Sequence, residues 1–275
     1  MGRRGITVAV TLLFFSIWPA WLNGAATESD SVYAGSTLTP AMLESRIAET
    51  EAAADLSEEV RGRLVELYRK ALSQIEAARA HEAKVEEYRR AAEIAPAQTE
   101  ELLATAASEN LPDPLADLPL SLETPLAELN SVLENEQAEL GAVTARQADF
   151  EARLAFNDIR PTAVNQRLAE ATAQREAVAA QLQLPPEAGM SEALLQAQRW
   201  VLETEYIALS TEIKMLDQEL LTRAVRMRLL EAKRDRETAS IGRITTRVEA
   251  LNALVNRKRQ QAAAQARVEA EQVQR

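Results

Sequence analysis

Between Ser191 and Gln261 the chain has no proline and one glycine, Gly242, and its apolar residues fall on two interlocked seven-residue ladders. One is Tyr206, Ile213, Leu220, Met227, Ile241, Val248 and Val255; the other is Leu202, Leu209, Leu216, Leu230, Ile244 and Leu251. A seven-residue repeat keeps one stripe of an α-helix turned toward a partner, so this is the seam of a coiled coil. Arg199, Arg223, Arg234, Glu237 and Lys258 interrupt it. At 1.5 Å rise per residue such a helix would reach roughly 100 Å. Something else in the chain must cover its stripe.

The stretch before it supplies a partner. From Leu122 the spacing alternates four and three through Leu126, Leu129, Leu133, Glu136, Leu140, Val143, Gln147, Phe150, Leu154, Asn157, Pro161, Val164, Leu168, Ala171, Arg175, Val178 and Leu182. Glu136, Gln147, Asn157, Pro161 and Arg175 are the polar or imino exceptions. The phase survives across Pro161, which predicts either a kink or a true turn between two shorter helices. Leu184-Pro185-Pro186-Glu187-Ala188-Gly189 then stops the pattern, and Ser191 is placed to cap the next helix. Two long heptad arms, 122–183 and 191–261, joined by a short loop fold back most simply as an antiparallel hairpin. Between Leu194 and Leu230 the extra apolar residues Leu194, Val201, Met215, Leu221, Val225 and Leu229 widen the stripe beyond a two-helix seam. A third helix is expected against that section, and the N-terminal helices are the natural candidates. Trp200 and the tyrosines Tyr68 and Tyr88 are read as packing residues.

Upstream, Pro40 precedes a short helical segment, Met42 to Ala53. Asp55-Leu56-Ser57-Glu58 reads as a capping box with Asp55 as N-cap. A helix follows to about Ile94, with Val60, Leu64, Leu67, Ala71, Ile75, Ala78, Val85 and Tyr88 as its stripe. Pro96 should end it, because the residue before a proline is driven out of the α region; Ala97 to Ser108 would form a shorter helix. Pro112, Pro114 and Pro119 mark the clearest internal boundary. The domain plan is therefore a helical region at 40–109, a Pro-rich linker at 110–119, a coiled-coil hairpin at 120–261 and a frayed tail at 262–275. The fold class is all-α, an elongated antiparallel hairpin with additional N-terminal helices.

Residues 1–26 have the three parts of a secretory signal: Arg3 and Arg4, an apolar run from Ile6 to Leu22, and the small residues Gly24-Ala25-Ala26 before Thr27. Val32-Tyr33-Ala34 offers a second cleavage site, and an uncleaved anchor is the competing reading. Residues 27–39 are a flexible lead-in. The chain is thus expected to be exported.

Composition narrows the chemistry. There is no cysteine and one histidine, His81, so neither a thiolate nor a multi-histidine metal site is available. The net charge of −11, or −13 once Arg3 and Arg4 leave with the leader, gives no reason to bind nucleic acid. The glycines are scattered and none forms a phosphate loop. Glu58-Glu59, Glu86-Glu87 and Glu100-Glu101 read as solvated helix faces. No catalytic, cofactor-binding or metal-binding residue is assigned, and no enzyme activity is expected.

Several runs resemble a known family. Ser191-Glu192-Ala193-Leu194-Leu195, Leu216-Asp217-Gln218-Glu219-Leu220-Leu221, Leu229-Leu230-Glu231-Ala232-Lys233-Arg234-Asp235 and Leu251–Arg259 are similar to the N-terminal periplasmic porin domain of large channels of the small-conductance mechanosensitive (MscS) family. Pro119–Leu126, Arg160-Pro161, Leu67–Leu72 and Ala95-Pro96 resemble earlier parts of that domain, so the likeness covers roughly 39–261. It implies a non-enzymatic helical module that precedes transmembrane helices and a pore-forming domain in heptameric, tension-gated channels. Its partners would be copies of itself, channel or membrane subunits, or the cell wall, with neither nucleic acid nor a small-molecule substrate among them. A periplasmic adaptor or tether, or a structural coiled coil without a channel, is the alternative.

Overall fold

The computed structural model describes residues 38–108, 114–118, 120–185 and 189–273. The expected leader at 1–26, most of the lead-in, and parts of the linker and of the 184–190 turn lie outside the described residues. Four helices carry the fold: α1 (Pro40–Ala52), α2 (Glu58–Ser108), α3 (Leu126–Leu182) and α4 (Glu192–Val273). No strand occurs among the described residues.

Local chemistry starts each helix. Thr39 Oγ1 accepts from the Met42 N–H at 3.2 Å, with Pro40 at the first helical position, where its missing N–H costs nothing. Ser57, not Asp55, caps α2: its Oγ accepts from the Val60 N–H at 3.4 Å, and its carbonyl takes the Arg61 N–H. The expected box is therefore two residues out, because Glu58 lies inside the first turn. Glu58 and Glu59 there complement the positive end of the helix dipole. Ser191 caps α4 through the Leu194 N–H, as its position suggested. Gly189, between α3 and α4, has φ of 93°, which a side chain would disfavour.

α4 is the common partner. It packs along α2 and along α3, and α1 packs on α2. Opposed pairs give the direction of the α3–α4 hairpin: Arg167 faces Glu212, Arg160 faces Glu219, and Arg146 faces Glu237, so one arm descends as the other climbs. α2 runs the same way as α4, since Tyr68 meets Trp200, Gln74 meets Thr204 and Tyr88 meets Arg226. The buried cluster lies at the α1–α2–α4 end, with Leu43, Leu64, Tyr68, Ile75, Trp200 and Val201 among its members. Tyr68 and Trp200 pack at 5.6 Å between ring centroids with planes tilted by 42°, an arrangement favoured by their quadrupoles.

Four differences from the sequence reading have physical causes. Pro96 does not end α2; the helix runs through it to Ser108. Ala95, beside it, is wholly buried, and packing outweighs a local cost of about 3 kcal/mol. α3 is likewise one helix from Leu126, after Pro125, through Pro161 to Leu182, so the two-helix alternative does not hold. Leu221, expected in the wide section, is 77% exposed. The face of α4 that meets α2 instead buries Thr204, Thr211 and Thr222. Each threonine hydroxyl donates to its own helix, to the carbonyls of Trp200, Ile207 and Gln218, so burial leaves no orphaned group. Finally, α4 stays helical to Val273, beyond the end of the seam, with residues 260–273 exposed.

The Trp200 side chain joins α4 to the cluster shared with α1 and α2. Trp200→Ala is expected to lower unfolding stability by about 3–5 kcal/mol, as large aromatic truncations in cores do. Urea unfolding followed by circular dichroism should show the loss; an unchanged midpoint would refute this packing.

Candidate functional site

The carboxylate pairs singled out in the sequence stay apart from any constellation. Glu58, Glu59, Glu86, Glu87, Glu100 and Glu101 are all exposed, and Glu86 and Glu87 pair within their own helix with Arg89 and Lys84. His81 is half-buried with Nδ1 lacking a partner. Among the described residues no group of three or more His, Asp or Glu side chains is arranged to hold a metal.

The charged interruptions of the α4 seam behave differently. Arg223 and Glu237 bond across to α3, Lys258 Nζ reaches the Leu122 carbonyl, and Arg199 and Arg234 pair locally with Glu203 and Asp235. Arg247, which the sequence reading passed over, pins the linker. Its Nε donates to the Pro114 carbonyl at 3.1 Å, its Nη2 to Asp117 at 2.8 and 3.0 Å, and its Nη1 to Glu136 on α3 at 3.2 Å. Arg146 is shared by Glu139 and Glu237 beside an open groove that Arg236 and Arg243 also line.

The densest polar contact is a junction of three helices centred on Glu219, which is only 8% exposed. Counted at 100° per residue, Glu219 lies between the face of α4 that meets α3 and the face that meets α2, so it serves both. Arg160 of α3 grips its carboxylate in bidentate fashion, Nε to Oε1 at 2.8 Å and Nη2 to Oε2 at 3.2 Å. Arg226, two turns along the same face, donates to the Glu219 carbonyl at 2.9 Å and lies over the Tyr88 ring of α2 at 4.6 Å from its centroid. One turn along, Arg223 donates from Nε to the Asn157 carbonyl at 3.2 Å and from Nη2 to Asp158 at 3.0 Å. The cleft enclosed by Asn157, Arg160, Pro161, Val164 and these α4 residues holds about 10 Å³. That is room for one water at most, and for no substrate. The junction fixes helices; it does not offer a reaction site.

Residues 46–275 match the family model described as the mechanosensitive ion channel porin domain. The chain belongs to that family. No curated protein and no solved structure matches it. The match takes in the second half of α1 and the whole of α2, α3 and α4, and runs past the 39–261 span read from the sequence to residue 275. Two of the runs that carry the resemblance, Arg160-Pro161 and Leu216–Leu221, meet at the junction of this porin domain. Its family ties the chain to mechanosensitive channels. Among its described residues no helix is long and apolar enough to cross a membrane.

Tyr88 reports on the junction. Burial first, then the Glu219 carboxylate, push its phenol above the ordinary value, against the pull of Arg226 and Lys84. Burial does the same for Tyr68. Above about pH 10 the unfolded chain gives up phenolic protons that the folded domain keeps. The stabilising share of these groups, complete below that pH, is then lost as pH rises toward the folded values. The melting temperature should therefore fall from about pH 10 upward, and Tyr88→Phe should make that fall shallower. An identical slope in the variant would show that Tyr88 is not held as described.

Proposed function

We propose that this chain is the periplasmic portion of, or a dedicated partner to, an MscS-type mechanosensitive channel, and that its role is mechanical rather than enzymatic. The observation that carries the reading is the family match over four helices tied to a common axis by α4. Export through the leader at 1–26 would place it on the outer side of the inner membrane. There a helix of 82 residues, roughly 120 Å at 1.5 Å per residue, acts as a stiff lever or spacer. Such an arm transmits or limits displacement between membrane-bound subunits and whatever it touches, a neighbouring copy or the cell wall. The polar junction and the Arg247 clamp support this role, because they oppose sliding of the helices past one another.

Patch recording tests it. Joined to its channel subunit and expressed in cells lacking other such channels, the protein should give pressure-activated currents, and removal of residues 46–275 should shift the pressure threshold. Currents from the joined protein that match those of an empty patch would defeat the channel reading. A threshold unmoved by the deletion would defeat the mechanical role.

A further inference from the structure

We propose that Pro161 makes a hinge in α3 and that Arg223 of α4 is the catch that holds it closed. Proline has no N–H, so the carbonyl four residues back, that of Asn157, loses its helical donor. A freed carbonyl on the inner face of a helix pair must find another partner or lose free energy. Here Arg223 replaces the missing donor: its Nε bonds that carbonyl at 3.2 Å, while its Nη2 holds the neighbouring Asp158 at 3.0 Å. The single turn before the proline is thus tied to α4 three times, through Asn157, Asp158 and Arg160.

Apolar packing does little at this place. The two ladder positions between the buried Leu154 and Val164 are Asn157 and Pro161, so the seam carries only an amide side chain and a half-buried proline ring there. The outer side does not brace the turn either. Phe156 is 57% and Ile159 70% exposed. The helix is therefore continuous at Pro161 because charged side chains of α4 hold it so. With the catch released, α3 would bend there while the apolar contacts on both sides persist. The Arg160–Glu219 grip and the Arg226–Tyr88 stack extend the same catch to α2, so the hinge and the docking of α2 share two successive turns of α4. This property belongs to the chain itself and stands whether or not the chain serves a channel.

Hydrogen–deuterium exchange on the intact chain tests it. Arg223→Ala should speed exchange of amides in 158–165 by about tenfold or more, the range expected for a lost hydrogen bond to a charged donor, with amides near 140–150 and 170–180 unchanged. Restoring the N–H by Pro161→Ala in the same chain should return protection, since the new amide can bond the Asn157 carbonyl. Spin labels at the exposed positions Asp149 and Glu176, roughly 40 Å apart along a straight helix, should show a broader distance distribution in Arg223→Ala and a narrow one in the double variant. If Arg223→Ala does not fold, Arg223→Lys, which keeps the charge but cannot make both bonds, should show the same local rise at smaller size. Unchanged exchange in the folded arginine variant, a rise spread evenly along α3, or failure of Pro161→Ala to restore protection would each overturn the hinge.

Discussion

Everything in this domain depends on α4 burying two faces at once. A helix of this length is not stable on propensity alone, and most of its stability must come from packing an apolar stripe. One stripe, the heptad ladder, meets α3; a second, rotated round the helix, meets α2. The second stripe is built from Ala197, Trp200, Val201 and a set of threonines, which are narrow enough to let α2 approach closely. Threonine is tolerated there because a helix offers its hydroxyl a carbonyl one turn back. The polar residues Glu219 and Arg226 lie between the two stripes, within reach of both neighbours.

Direction and register follow from charge as much as from the ladders. Residues 223–259 of α4 carry eleven basic and four acidic side chains, and the facing half of α3, residues 126–159, carries seven acidic and two basic. Each exposed ion pair contributes only about 0–1 kcal/mol, so the pairs are a weak source of stability. Their effect is selective. A slip of one arm past the other would bring arginine to arginine and leave the half-buried Glu136 and Glu237 and the buried Glu219 without their guanidinium partners, which is costly in a desolvated setting. The arms are therefore held together by apolar surface and held in place by arginine.

Much of this was legible in the chain. All six buried residues of α3, from Leu129 to Val178, lie on the ladder counted from Leu122, and Tyr206, Leu209, Leu216, Leu251 and Val255 do the same on α4. The need for a third helix was visible in the widened stripe, although Leu221 was the wrong residue to count. The junction was not legible. Glu219, Arg160 and Arg226 look like ordinary surface charges in a chain rich in them, and nothing local distinguishes them from Glu86 or Arg89, which merely pair along their own helix. The signal that was available is the coincidence of Arg160 with Pro161 on the seam, where a lost backbone donor calls for a replacement.

Taken alone, the amino-acid sequence determined most of the helical stretches, the break between Leu182 and Glu192, the antiparallel hairpin and the absence of cysteine and clustered histidine chemistry, because periodicity, caps and composition act over a few residues at a time. Tertiary structure alone decided that Pro96 and Pro161 sit inside continuous helices and that threonines line a buried face. It likewise decided that Arg247 clamps the linker and that three helices meet at Glu219. Those outcomes turn on which group stands opposite, and a carbonyl freed by proline is tolerable or ruinous according to whether another helix brings it a donor.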